Sequence, residues 1–227
     1  MTTTEPLDPP ADVRFSEVVR EATFSDHEQA AMSGFMTALF DRQLPIDAYT
    51  SMVAQHWFAY VELERAGDQL VDHPVAGPFV REELRRVPAL EADLMHLLGD
   101  GWPEQIAPSP STTRYCDRMA EVCTAHPEAF VAHHYTRYMG DLSGGQMIGR
   151  IAREAYALEP GAGAAFYEFP DIEDLGAFKD EYRRQLDEAA WSDEERERLL
   201  REVALAYRLN TEVFEDLDRA LAEGTAR

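Results

Sequence analysis

The chain of 227 residues carries 43 acidic and 21 basic side chains, a formal net charge of −22. That balance, with no basic stripe, argues against nucleic-acid binding and gives a surface that repels anions. No apolar run approaches about eighteen residues and no signal-peptide pattern opens the chain, so neither a membrane span nor export is expected.

The periodicity reads as helix almost throughout, and no segment alternates as a strand does. Residues 1–12 are polar and proline-rich and are expected to be disordered. A single all-α domain is expected over 13–223, monomeric, with 224–227 frayed. In chain order the helices fall over 13–23, 26–42, 46–66, 76–85, 88–97, 111–124, 127–156, 173–188 and 193–222. His27, Ala31 and Phe35 share one face of the second. Cys116 and Cys123 lie two turns apart on the sixth, too far along a helix for a disulfide, so reduced thiols and a cytoplasmic location fit best. Residues 98–110 and 161–170 are connections. The helix over 173–188 sets Lys179, Tyr182 and Arg183 on one face; like charges so placed repel unless an anion lies between them, or Arg183 instead pairs with Asp187. Ser192 and Glu195 form a capping box that opens the last helix.

The most informative stretch runs from Tyr135 to Arg150, Tyr-Thr-Arg-Tyr-Met-Gly-Asp-Leu-Ser-Gly-Gly-Gln-Met-Ile-Gly-Arg. Each glycine inside a helix costs about 0.5–1 kcal/mol relative to alanine, yet four occur here. Gly140, Ser143 and Gly144 fall at i, i+3 and i+4, which strips one face of side chains. Such a face admits a flat group against the backbone or lets the helix kink. It also serves close helix–helix packing, in which case Asp141 is simply a solvated carboxylate.

This string resembles the distal helix of heme oxygenases, in which a kinked, glycine-bearing helix lies over a heme. The histidine-bearing segment resembles the family's proximal helix, with His27 at the iron-ligand position. His133 and His134, next to the glycine string, are the next candidates and read as structural residues or as supports behind the site. The resemblance runs from about Phe15 to Leu221 and implies an all-helical domain with heme between a proximal and a kinked distal helix. It implies cleavage of heme by dioxygen to biliverdin, carbon monoxide and ferrous iron, heme being both substrate and cofactor. Electrons would come from an external donor such as ferredoxin with its reductase, since no flavin, iron–sulfur or nucleotide motif is present.

The same resemblance assigns Arg20, Tyr135, Lys179 and Arg183 to the heme propionates. It places Asp141 as the anchor of distal water, with Gly140 and Gly144 crowding the bound gas. Tyr60, Arg137, Tyr135 and Asn210 are expected around the carboxylate, although Tyr60 and Asn210 read equally well as hydrogen-bonded core residues. One position departs from the pattern. The family commonly has a glutamate four residues after the proximal histidine, and this chain has Ala31. That leaves three readings: a working heme oxygenase, a heme-binding protein of the same fold without turnover, and a helical interaction protein without cofactor.

Overall fold

A computed structural model of the chain describes residues 13–22 and 34–224. Among the described residues all regular structure is helical, as the periodicity predicts. Helix α1 (Phe15–Ala22) leads the chain, and α2 (Gly34–Phe40) is the described part of the second expected helix. His27 and Ala31 lie outside the described residues.

Helix α3 (Ile46–Leu70) starts after Pro45, where a proline satisfies a helix entry, with Asp47 in its first turn. It runs one turn further than the sequence predicts and is buried along much of its length, including Tyr49, Met52, Tyr60 and Leu63. The helix expected over 76–85 does not form. Two tight 3₁₀ turns replace it, Gly77–Phe79 and Glu82–Leu84. Pro78 has no N–H to continue a ladder, and Val80 is extended. Gly77 is required there because a Cβ would stand 2.4 Å from the carbonyl oxygen of Val71.

Helices α4 (Val87–Leu98) and α5 (Pro110–Val122) pack against α3. The segment 127–156 is helical throughout but not uniform. It begins as α6 (Pro127–His134), widens into π-type turns at Tyr135–Met139 and Asp141–Gly145, and ends as α7 (Gln146–Tyr156). Such turns mark inserted strain and often sit at functional sites. Helix α8 (Leu175–Glu188) is capped by Asp174, whose side chain accepts from the N–H groups of Gly176 and Ala177. Helix α9 (Asp193–Ala222) carries the expected Ser192–Glu195 capping box. The core lies where α3, α6 and α9 meet. Arg183 pairs with Asp180 at 2.7 Å, one turn back, and not with Asp187. Asp187 instead accepts from the backbone N–H and hydroxyl of Ser16, at 2.7 and 3.0 Å, and so ties α8 to α1.

Candidate active site

A cavity of about 240 Å³ opens beside the wide turns of 135–145. Met36 and Phe40 of α2, Met52 of α3 and Phe214 of α9 give it apolar walls. One side is formed by Gly140 and Gly144, where an added Cβ would meet nothing within 4 Å. The backbone there is bare and faces open space, as close approach by a flat ligand requires.

The other two glycines of the string do different work. A Cβ at Gly149 would stand 2.6 Å from Cβ of Tyr167, and one at Gly145 would stand 3.3 Å from its ring. Tyr167 therefore packs directly on the helix backbone. Gly149→Ala is expected to destabilise the fold by about 1–3 kcal/mol, the usual cost of overpacking. Denaturant unfolding of the heme-free chain checks this.

Asp141 faces the cavity on one side and is otherwise enclosed by protein. The hydroxyl of Tyr60, itself fully buried on α3, donates to its Oδ2. Burial pushes the Asp141 carboxyl up to about 7, against the Tyr60 hydrogen bond and the positive charges of Arg137 and Arg86, which lower it. Burial and the facing carboxylate hold Tyr60 well above the usual phenol range, so it remains a donor. A carboxyl that titrates near neutrality can both release and accept a proton at working pH.

Arg137 is buried behind this pair. Its guanidinium donates to Oδ1 of Asn210 on α9 at 2.8 Å and lies 5.1 Å from the centre of the Tyr60 ring. Three helical elements thus converge on one polar cluster that brings Tyr60, Arg137, Asp141 and Asn210 together. Tyr135 does not join them. Six residues before Asp141, it falls on another side of the helix, where its ring lies 6.3 Å from Tyr182 and its nearest cations are Arg183 and Arg20.

Those cations mark a second face. Nζ of Lys179 reaches from α8 to Oγ of Ser143 at 3.4 Å, across the glycine-bearing turn. Lys179, Arg183, Arg20 and Tyr135 therefore come from α8, the end of α1 and the first wide turn to one rim of the molecule. His133 and His134 are buried; Nδ1 of His134 lies 2.9 Å from the hydroxyl of Tyr182, in keeping with a structural role.

Two supports of the surrounding fold and two residues of the cavity wall escape sequence reasoning. Glu64 accepts the Tyr138 hydroxyl at 3.2 Å and the backbone N–H groups of Arg86 and Val87 at 2.5 and 3.2 Å. The buried Asp93 accepts from the N–H groups of Ala165 and Phe166, both at 2.8 Å, and so fixes the turn that carries Tyr167. An acidic residue on the apolar side of a helix is the one signal that marks them. His56 and Tyr167, both in the cavity wall, give no such signal.

Comparison with known proteins agrees with this geometry. A family model described as Heme oxygenase matches residues 13–216. The chain is 39% identical over 210 residues to Heme oxygenase 1 of Rattus norvegicus, covering 92% of this chain and 73% of that one. It is 36% identical over 200 residues to Heme oxygenase 1 of a Nostoc species, covering 88% and 84%. The solved structure of heme oxygenase-1 from Synechocystis in complex with heme superposes with a TM-score of 0.88 at 34% identity, over 93% of this chain and 96% of that one. Heme oxygenase from Leptospira interrogans superposes with a TM-score of 0.84 at 32% identity, over 89% and 98%. With an all-helical fold, a bare glycine face and a matching family model over most of its length, the chain belongs to the heme oxygenase family of heme-degrading enzymes.

Proposed function

We propose that the protein cleaves heme to biliverdin, carbon monoxide and ferrous iron, with His27 as the axial ligand and Asp141 as the anchor of the water that delivers protons. The observation that carries this reading is the open backbone of Gly140 and Gly144 directly beside the enclosed Asp141–Tyr60 pair. Bound heme supplies the iron that activates dioxygen and the ring that is opened.

The chain's own groups do the rest. Gly140 and Gly144 would let the flat face of heme approach the helix backbone closely. Asp141, near its midpoint at neutral pH, holds and passes protons through water. Tyr60 fixes one carboxylate oxygen, and Asn210 fixes Arg137 behind it. The wide turn 141–145 itself carries no histidine or arginine, whose proton donation or charge would favour peroxidase-type oxidation, and Arg137 of the same cavity is tied to Asn210. Lys179, Arg183, Arg20 and Tyr135 hold the two propionates at the rim.

The fit is tested by filling the bare face. Gly140→Leu keeps helical backbone angles but places a side chain in the open space. Hemin affinity is expected to fall by at least about tenfold, an effect on the scale of one lost contact of about 1.4 kcal/mol. Unchanged affinity in a spectroscopic titration would place the ring elsewhere.

The basic rim has a second use. In a chain of charge −22 it offers the local positive field an acidic electron donor such as ferredoxin needs. Turnover driven by a ferredoxin system is expected to fall as ionic strength rises, because screening shortens to about 8 Å near 0.15 M salt. Ascorbate-driven turnover should not change. Salt-independent ferredoxin kinetics would count against electrostatic docking.

A further inference from the structure

Buried aromatic rings stand in file from the cavity wall to the basic rim. Tyr60, on α3, lies one hydrogen bond behind the cavity, through Asp141. The ring centres of Tyr60 and Tyr138 are 5.3 Å apart and those of Tyr138 and His134 4.3 Å. His134 then stacks on Tyr182 of α8, with centres 5.7 Å apart and 15° between the planes. Tyr182 lies 6.3 Å from Tyr135, whose nearest cations are Arg183 and Arg20 of the rim.

Ring contacts at this spacing are ordinary in a core. The hydroxyl partners are not. Tyr49 and Tyr156, off the file, donate to the carbonyl oxygens of Gly163 and Leu44, and satisfying a buried hydroxyl needs no more than that. Each of the three tyrosines in the file faces a group that can take its proton. Tyr60 donates to Asp141, Tyr138 donates to Glu64 at 3.2 Å, and the Tyr182 hydroxyl lies 2.9 Å from Nδ1 of His134. Burial lowers the His134 pKa to about 3, so its ring is neutral and keeps one acceptor nitrogen. With the ring hydrogen on Nε2, Nδ1 accepts from Tyr182. Such an imidazole is a weak base, but a phenol that has lost an electron is a strong acid, and its proton moves readily to any base in hydrogen-bond contact.

We propose that Tyr60, Tyr138 and Tyr182, each with its own proton acceptor, form a relay that carries oxidising equivalents out of the cavity to the basic rim. The proposal rests on the reading that heme lies against Gly140 and Gly144. The occasion is hydrogen peroxide reaching bound heme: its O–O bond breaks, one water leaves and two oxidising equivalents stay behind. For each of them Tyr60 gives up one electron and passes its proton to ionised Asp141. Tyr138 returns an electron to Tyr60, which recovers its proton from Asp141, while the Tyr138 proton goes to Glu64. Tyr182 restores Tyr138 in the same way, and its own proton goes to His134. An external one-electron reductant at the rim, ascorbate or the docked electron donor, then restores Tyr182, and the proton returns from His134. After two passages the protein is unchanged, two donor electrons and two protons from solvent have been consumed, and the peroxide has become two waters.

The test mixes the hemin complex of the full chain with hydrogen peroxide, without added reductant, and reads tyrosyl radicals by electron paramagnetic resonance after rapid freezing. A signal that is lost in Tyr182→Phe is expected. Tyr138→Phe keeps a ring in the file but cannot pass a proton to Glu64, and should also lose the Tyr182 signal. His134→Phe keeps the stack and removes the acceptor, so the radical should stop at Tyr138. In the wild type the Tyr182 signal should rise more slowly in D₂O, because each transfer moves a proton, a dependence that packing alone does not produce. Ascorbate-driven biliverdin yield in His134→Phe should equal that of the wild type. A wild-type complex that forms no biliverdin would strike at the heme reading, whereas normal biliverdin with no tyrosyl radical under peroxide would overturn the relay alone. So would a Tyr182 signal of undiminished size in both Tyr138→Phe and His134→Phe.

Discussion

His27→Ala is expected to abolish heme turnover and to restore iron ligation, though not a wild-type rate, when imidazole is added. As the proposed axial ligand, the His27 imidazole would supply the protein's bond to the iron. Without it heme would be held by contacts to its propionates and by apolar contact alone. Exogenous imidazole is expected to return the spectrum of a nitrogen-ligated heme. The check is the absorption spectrum of the hemin complex with and without imidazole, alongside biliverdin yield. A wild-type spectrum and yield in His27→Ala would place the ligand on another residue. The Ala31 position enters here. Partners of a ligating imidazole typically change metal affinity or activity by about 10–100-fold, and the sequence has Ala31 where the family commonly has the glutamate that would be such a partner for the proposed ligand.

The second large effect is expected at Asp141. Asp141→Asn keeps the size of the side chain and an oxygen to accept from Tyr60, but cannot carry a proton. Hemin affinity should stay within about threefold, since no contact with the ring is lost and a threefold change is well under 1 kcal/mol. Biliverdin formation should fall by about 10²–10⁴-fold, the usual contribution of a positioned proton-transfer group. Peroxide-driven oxidation of small donors should rise in its place. Unchanged biliverdin yield would remove Asp141 from the chemistry.

The same substitution has a signature in stability. The Asp141 carboxyl titrates at about 7 in the folded chain and near 3.9 when unfolded. Between those values the folded state binds more protons than the unfolded state, so this group costs stability progressively as pH rises from about 4 to about 7. The asparagine variant lacks that cost. Its stability relative to wild type should climb across that window and level off above it, as followed by denaturant unfolding of the heme-free protein. A difference that does not vary with pH would mean that the carboxyl is not held protonated by burial.

Much of this site is legible in the sequence because helical spacing is a local property. The string 135–150, the capping box at Ser192 and the shared face of Lys179 and Arg183 need only one helix to be read. The limits appear where two segments meet. Gly140 and Gly149 are the same residue in the same pattern, yet one faces open space and the other lies under Tyr167, a residue from a connection the pattern does not place. Tyr135 fits a hydrogen-bond network by composition, but its position along the helix turns it toward Tyr182 and the cationic rim. The failed helix over 76–85 turns on Pro78 and on a backbone contact between Gly77 and Val71, the second of which only the folded chain reveals. His56 and Tyr167 look like ordinary core residues in sequence because which side chains line a cavity is settled only when the helices pack.

The central claim is that heme bound at the Gly140–Gly144 face is consumed there. A single-turnover reaction of the hemin complex with dioxygen and ascorbate tests it directly. Loss of the Soret band with stoichiometric release of carbon monoxide and appearance of biliverdin is the predicted result. A hemin complex that keeps its Soret band and releases no carbon monoxide would contradict the account and leave a protein that binds heme without opening it.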